Sequence, residues 1–326
     1  MNSGFFKKYF NLLYLNQLLR TLNSKLRTPK FGLRTPNSQL RTYDPTRRHF
    51  LRWLLGLPFL SLFPFHVHMT EASAPILPRG EGRSSIAQFF KGEELVYQIG
   101  VWVFKRVALG KLSFKEMEKK GHYMAILQAE TLGVLGWLAR YRVDTYRSTM
   151  EEIDGGRCLR SLSFEEDVKI GNKLRRKIHL FDYQKKKWIQ VRRSKDGVVE
   201  RTEEEIPPGM VYDDFVTASY NFRYGVYGEI ERGKKYTVST FPRKGALSYE
   251  LRVAAKEEEE RRKKSEKVKD GKEFFVKLFL DPEITHSKEG LIEGWLSKEL
   301  YPLEGTIRDV ALFGDVKGTL IKKSPG

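Results

Sequence analysis

Adjacent carboxylates at Asp213-Asp214, a single thiol at Cys158 and six histidines are the residues of this 326-residue chain whose types could carry acid–base, nucleophilic or metal chemistry. Their spacing argues against each. Neighbouring side chains on a helix diverge by about 100°, so Asp213 and Asp214 suit helix capping better than a shared proton. Cys158 lies between Arg157 and Arg160, which would favour its thiolate, yet no base stands near it in sequence to complete a nucleophile. One cysteine also excludes an internal disulfide, a CxxC redox site and cysteine-ligated clusters. His49, His66 and His68 fall in the amino-terminal region, and His122, His179 and His286 share no HxH or HExxH spacing. GxSxG, Walker A and GxGxxG patterns are absent. No catalytic residue, metal ligand or cofactor is therefore assigned.

A run of Lys and Arg from Lys173 to Arg193 interleaves with Phe181, Tyr183 and Trp188, the composition of a single-stranded nucleic-acid platform. The charge distribution weighs against that partner. Half of the +18 formal charge lies in residues 1–72, which hold 11 basic and two acidic residues, so the body of the chain is only mildly basic. The run reads instead as a β-hairpin with a cationic outer face, suited to anionic headgroups or glycans.

The elements that must position these residues are mostly strands. Leu95–Phe104, Tyr123–Glu130 and Arg140–Tyr146 are rich in aromatic and β-branched residues and alternate polar with apolar along much of their length. Further strands are expected at Leu159–Val168, Arg176–Tyr183, Trp188–Arg193, Val198–Glu205, Tyr236–Phe241, Leu247–Ala254 and Phe274–Leu280. Turn signals such as Asp154-Gly155-Gly156, Gly171-Asn172 and Lys195-Asp196-Gly197 separate several of them. The pattern predicts a mainly β fold, an antiparallel curved sheet forming a half-barrel or open barrel, with one packed helix. That helix is expected over Tyr212–Tyr224, where Phe215, Ala218, Ser219 and Phe222 share helical spacing and Asp213 or Asp214 supplies the cap. Four glutamates at 257–260 stand four residues before four cations at 261–264, a spacing that supports an exposed helix by about 0.3 kcal/mol per pair. The solvated tip of a long hairpin is the preferred reading of that run.

Upstream lies Thr46-Arg47-Arg48-His49-Phe50-Leu51-Arg52, followed by an apolar run from Trp53 to Phe65. Arg47, Arg48, Phe50 and Leu51 match a twin-arginine export signal. The run is broken by Gly56, Pro58 and Pro64 and falls short of the roughly 20 apolar residues that a transmembrane helix needs. Cleavage is expected after Ala72. A general secretory signal and an uncleaved anchor are the alternatives, and all three place the body outside the cytoplasm. Leu-Arg-Thr recurs at residues 19, 26, 33 and 40, but Pro29, Pro36 and Pro45 rule out a coiled coil. The preferred reading is a tandem DNA repeat read in frame, with translation starting closer to Thr46. The organisation expected is a leader at 1–45, a signal peptide at 46–72, a linker at 73–91 and a single β-rich periplasmic domain at 92–326.

Residues 92 to about 321 resemble a periplasmic family catalogued as domain of unknown function 3108. The resemblance is carried by Gly92-Glu93-Glu94-Leu95-Val96-Tyr97 opening the first strand, Gly110 beginning the second, Asp214 with Tyr220 and Arg223 around the helix, and Gly233 before the next strand. Glu293-Gly294-Trp295-Leu296-Ser297, Leu300-Tyr301-Pro302-Leu303 and Val310–Val316 complete it, although Lys298 and Glu299 replace the family's acidic turn. The resemblance implies a curved half-barrel wrapping a helix, similar to the lipoprotein carriers of the bacterial envelope. It implies no enzymatic activity.

The leading expectation is a non-enzymatic exported envelope protein that binds an apolar or amphipathic, lipid-like ligand, because an incompletely closed sheet leaves an apolar concavity. Trp102, Phe104, Trp137, Tyr141, Phe215, Phe222 and Trp295 are the candidate lining residues. Expected partners are the twin-arginine translocase during export and a lipid or anionic envelope component, and not nucleic acid. An interaction module of an envelope complex is the alternative, and a hydrolase the third class.

Overall fold

The computed structural model describes residues 84–324 apart from 194–196, 244–245, 267–270, 281, 286 and 311–313. The proposed signal residues Arg47, Arg48, Phe50 and Leu51 lie outside the described residues. In chain order the elements are α1 (Ile86–Phe90), β1 (Glu94–Val101), β2 (Phe104–Glu116), β3 (His122–Thr131), α2 (Gly133–Leu138), β4 (Val143–Ile153), β5 (Cys158–Ile170), β6 (Lys173–Asp182), β7 (Lys187–Arg193) and β8 (Val199–Glu205). There follow α3 (Phe215–Tyr224), β9 (Lys235–Arg243), β10 (Ala246–Val253), α4 (Lys256–Glu266), β11 (Phe274–Phe279), α5 (Pro282–Thr285), β12 (Leu291–Leu296), β13 (Pro302–Val310) and β14 (Gly314–Ser324).

All the strands join one antiparallel 14-stranded sheet in the order β8-β7-β6-β5-β4-β3-β2-β1-β14-β13-β12-β11-β10-β9. Two meanders, β1 to β8 and β9 to β14, are thus joined where β1 pairs with β14. The sheet does not close, and β8 and β9 are its free edges. It is nonetheless strongly curled. On a flat sheet the eleven strand spacings between β6 and β9, at about 4.8 Å each, would part them by roughly 50 Å. Instead the ring of His179 on β6 lies 4.4 Å from that of Phe241 on β9, and Trp188 on β7 lies 5.8 Å from the same ring. Edge strand β8 is exposed throughout and carries Glu200, Arg201 and Glu203–Glu205, charges that discourage pairing with another chain.

Inside the curl sits α3. Asp214 caps it, its Oδ1 accepting from the amides of Val216 at 2.8 Å and Thr217 at 3.0 Å. Gly225 ends it in the left-handed conformation at φ 86°, which glycine adopts without Cβ strain. Tyr220 packs edge-on to Phe90 of α1 at 4.9 Å and against Phe114 at 5.0 Å, while Phe215 meets Tyr146 and Phe164, each at 5.2 Å.

Two expectations need correction. The strand expected over Leu95–Phe104 is two strands, because the chain reverses at Trp102-Val103 and pairs Val101 with Phe104. Nothing in that turn announces it; Trp102 itself takes φ 49°, a role usually given to Gly, Asn or Asp. The charged run at 257–264 is the helix α4 and not a hairpin tip. Glu259 explains why: it is 2% exposed, accepts from the Phe275 amide at 3.0 Å and pairs with Arg232 at 2.8 Å, which fastens the helix to the outer face of the sheet. The hairpin strands expected on either side of it do pair, Leu251 standing opposite Leu278.

Candidate functional site

The concave face has two ends of different chemistry. At the end occupied by α3, Asp214 Oδ2 accepts from Ser148 at 2.6 Å, Ser161 at 2.8 Å and Thr217 at 2.9 Å, all buried. One carboxylate therefore caps the helix and ties it to β4 and β5. Asp213 accepts from Tyr227 at 2.5 Å and from Asn221 at 3.2 Å. Burial is the largest influence on Asp213, and with the Asp214 charge it pushes the Asp213 carboxyl up to about 7 despite those donors. At the helix carboxyl end Arg223 donates to both oxygens of Glu93, at 2.8 and 2.5 Å, with both side chains 3% exposed. Its guanidinium also lies 4.7 Å from the Phe90 ring and donates to the Leu300 carbonyl at 2.9 Å. Burial alone would lower the Arg223 pKa, but Glu93 more than offsets it and holds Arg223 charged. Asp214, Glu93 and Arg223 are engaged in holding α3, whereas Asp213 uses only Oδ2 for Tyr227 and Asn221 and its buried Oδ1 has no hydrogen-bond partner among the described residues.

Beyond the helix the same face becomes aliphatic. Residues directly opposite on antiparallel strands share a face. Leu251, Leu278, Ile292, Ile307, Val316 and Val101 are successive opposite partners across β10, β11, β12, β13, β14 and β1. All but Val101 are half-buried. Next to this row, Val253, Val276, Gly294, Gly305, Gly318 and Ile99 are matched in the same way. The face is fixed by packing, because Val253 is in the cluster of Phe222, Tyr236 and Leu296, against which Leu251 and Val276 also rest. Three glycines in a row leave bare backbone at the floor of a trough; at Gly294 the neighbouring strand comes close, since a Cβ there would meet the Glu304 carbonyl oxygen at 2.7 Å, whereas the other two are open. Among the described residues nothing lies within 4 Å of a Cβ built on Gly305, and only the Gly305 carbonyl, at 3.9 Å, approaches one on Gly318.

A strand-built trough opening beside a helix-filled curl can be set against known proteins. The model of the family described as Protein of unknown function (DUF3108) matches residues 96–320. The chain belongs to this family. No curated protein and no solved structure matches it. The residues that carry the DUF3108 resemblance acquire physical roles: Glu93, Tyr220 and Arg223 form the buried lock beneath α3, and Asp214 is its cap. Gly110, expected to begin a strand, lies in the middle of β2. Among the described residues of this DUF3108 chain, no group of three or more His, Cys, Asp or Glu could hold a metal ion, and no helix is long and apolar enough to cross a membrane.

The seven candidate lining residues divide. Phe104 stands opposite Val101 and so ends the aliphatic row. Trp102, Trp137 and Tyr141 are exposed at 51%, 65% and 56%, Trp137 on α2 and the other two on connecting loops at that end of the sheet. Phe215 and Phe222 belong to the packed core around α3, Phe222 meeting Tyr236 edge-on at 5.3 Å. Trp295 is buried on the outer face, where it packs at 4.9 Å on Phe275 beneath α4, whereas its neighbour Leu296 points to Phe222. Sequence reasoning favoured large aromatics and missed the trough's aliphatics and glycines. Glycine in the middle of a strand, as at Gly294, Gly305 and Gly318, is the signal that could have found them, since it marks a bend or a close approach.

Proposed function

We infer that this chain is a non-enzymatic exported envelope protein whose trough takes the aliphatic chain of an amphipathic, lipid-like ligand. The observation that carries the reading is the unbroken aliphatic row from Leu251 to Val101, half-buried above a glycine floor with space over Gly305. Covering such a surface with an acyl chain is favourable by about 25 cal/mol per Å² of apolar area removed from water. The test is titration with a fluorescent fatty acid. Gly305→Ile would place a β-branched side chain where there is room for it, so the fold should tolerate it while the trough is filled. Probe affinity is expected to fall at least tenfold with the thermal midpoint unchanged. A wild-type protein that ignores the probe, or a variant that binds it equally well, removes the reading.

Export is supported by the twin-arginine pattern at Arg47-Arg48. That pathway reads guanidinium geometry as well as charge, so replacing both arginines with lysine should leave the precursor in the cytoplasm. Efficient export of the lysine variant would favour the general secretory route.

A further inference from the structure

The end of the sheet where the trough opens carries apolar side chains turned to solvent. Trp102 and Val103 form the β1–β2 turn, 51% and 78% exposed, and Val134 and Trp137 on α2 are 68% and 65% exposed. The two loops adjoin. Thr131 stands opposite Ala108, the Leu132 amide donates to the Val107 carbonyl at 2.7 Å, and Leu135 packs on Val101 and Val107. Trp102, Arg140 and Tyr141 take φ of 49°, 59° and 50°. Bulky residues disfavour that conformation, so the shape of this rim is held at some cost in backbone strain.

Cations ring the apolar tip. The β5–β6 turn joins the same rim, the Gly171 amide donating to the Arg140 carbonyl at 2.8 Å. Lys105, Arg106, Arg140, Lys169, Lys173 and Arg175 are exposed there, and none makes an ion pair among the described residues. Of the acids nearby, Glu130, Glu289 and Asp309 are exposed, while Asp144 is held by Arg142, Asp167 by Arg147 and Arg176, and Asp315 by Arg308. Like charges around a solvent-facing Trp and Val tip repel one another unless an anionic surface neutralises them.

We propose that this rim docks on an anionic lipid bilayer, with Trp102, Val103 and Trp137 entering the interface and the surrounding Lys and Arg meeting lipid phosphates. Indole rings favour the boundary between headgroup and acyl chain, and each cation held near an anionic surface strengthens binding roughly fivefold. Val101 and Phe104 lie at the foot of the tip, so a docked rim sets the mouth of the trough against the acyl region. Docking does not depend on the trough being a binding site.

The test is co-sedimentation of the purified protein with vesicles of phosphatidylcholine alone and of phosphatidylcholine with phosphatidylglycerol in equal parts. Binding to the mixed vesicles should be at least tenfold stronger and should weaken with added salt. The V103D/W137S double variant should lose at least tenfold in affinity with an unchanged thermal midpoint, since these side chains are 78% and 65% exposed. K173Q/R175Q should lose roughly twenty-five-fold, at about fivefold per cation. Gly305→Ile should bind vesicles as wild type does, so docking and the trough reading fail separately. Equal binding to the two vesicle types, or wild-type affinity in V103D/W137S, overturns the proposal. Polyglutamate binding as tight as that of mixed vesicles also overturns it, in favour of an acidic protein partner.

Discussion

At the α3 end of the concave face, aromatic rings meet at 4.4 to 6.3 Å around a helix whose polar anchors are buried and paired, whereas at the other end a row of aliphatics lies half-buried over glycine backbone. Both ends belong to the same curled sheet, and β1, β10 and β12 contribute to both. What differs is the filling. A curled sheet leaves a wide interior, and interiors reach native density only when something occupies them. One helix of ten residues fills one end. The other keeps its strands' apolar side chains half-buried and has space where Cβ atoms are lacking at Gly305 and Gly318.

The sharpest way to break this contrast is at the lock. Arg223→Ala leaves the buried Glu93 carboxyl without its ion-pair partner, and the expected loss is about 3–5 kcal/mol in urea unfolding. A loss under 1 kcal/mol would mean that the helix end is not the structural half of the molecule. Next in size is a pH effect. Asp213 titrates near 7 in the folded chain against 3.8 as its ordinary value, so between those values the folded state holds a proton that the unfolded state releases. Stability from this group is therefore complete below about pH 4 and lost as pH rises through 7, by up to about 4 kcal/mol. Asp213→Asn should abolish that slope, making the variant the more stable partner at pH 8 when compared with wild type by urea midpoints. Parallel pH profiles for the two proteins would sink the assignment. Smallest of all in stability is Gly305→Ile at the open end, where midpoints should match and only the fatty-acid titration should change. A large destabilisation there would show that the glycine floor serves packing and leaves no room.

Much of the fold was legible because antiparallel strands with one buried face alternate in sequence, and α3 announced itself through Asp214 and its apolar spacing. The hairpin tip at Trp102-Val103 was not legible. Apolar residues in a strand-like run signal burial, and here they make an exposed turn. Trp295 misled for a related reason: its neighbour Leu296 points to the concavity, and only packing tells which of two adjacent buried residues faces α3 and which faces α4. The charged helix α4 shows the same limit, since its anchor Glu259 finds Arg232 and the Phe275 amide only in three dimensions.

By itself the sequence determined the strand periodicity, the capped helix and the pair of arginines ahead of the apolar run, all of which depend on neighbours a few residues apart. It determined family membership as well, through the order of short motifs. Only the tertiary structure decided that Glu93 meets Arg223 across 130 residues of chain and that β1 closes on β14. It alone set Gly294, Gly305 and Gly318 side by side. Register does this: a strand lists its residues in order, but which of them become neighbours across a sheet depends on pairings hundreds of residues apart, and a slip of one residue would turn every one of them to the opposite face.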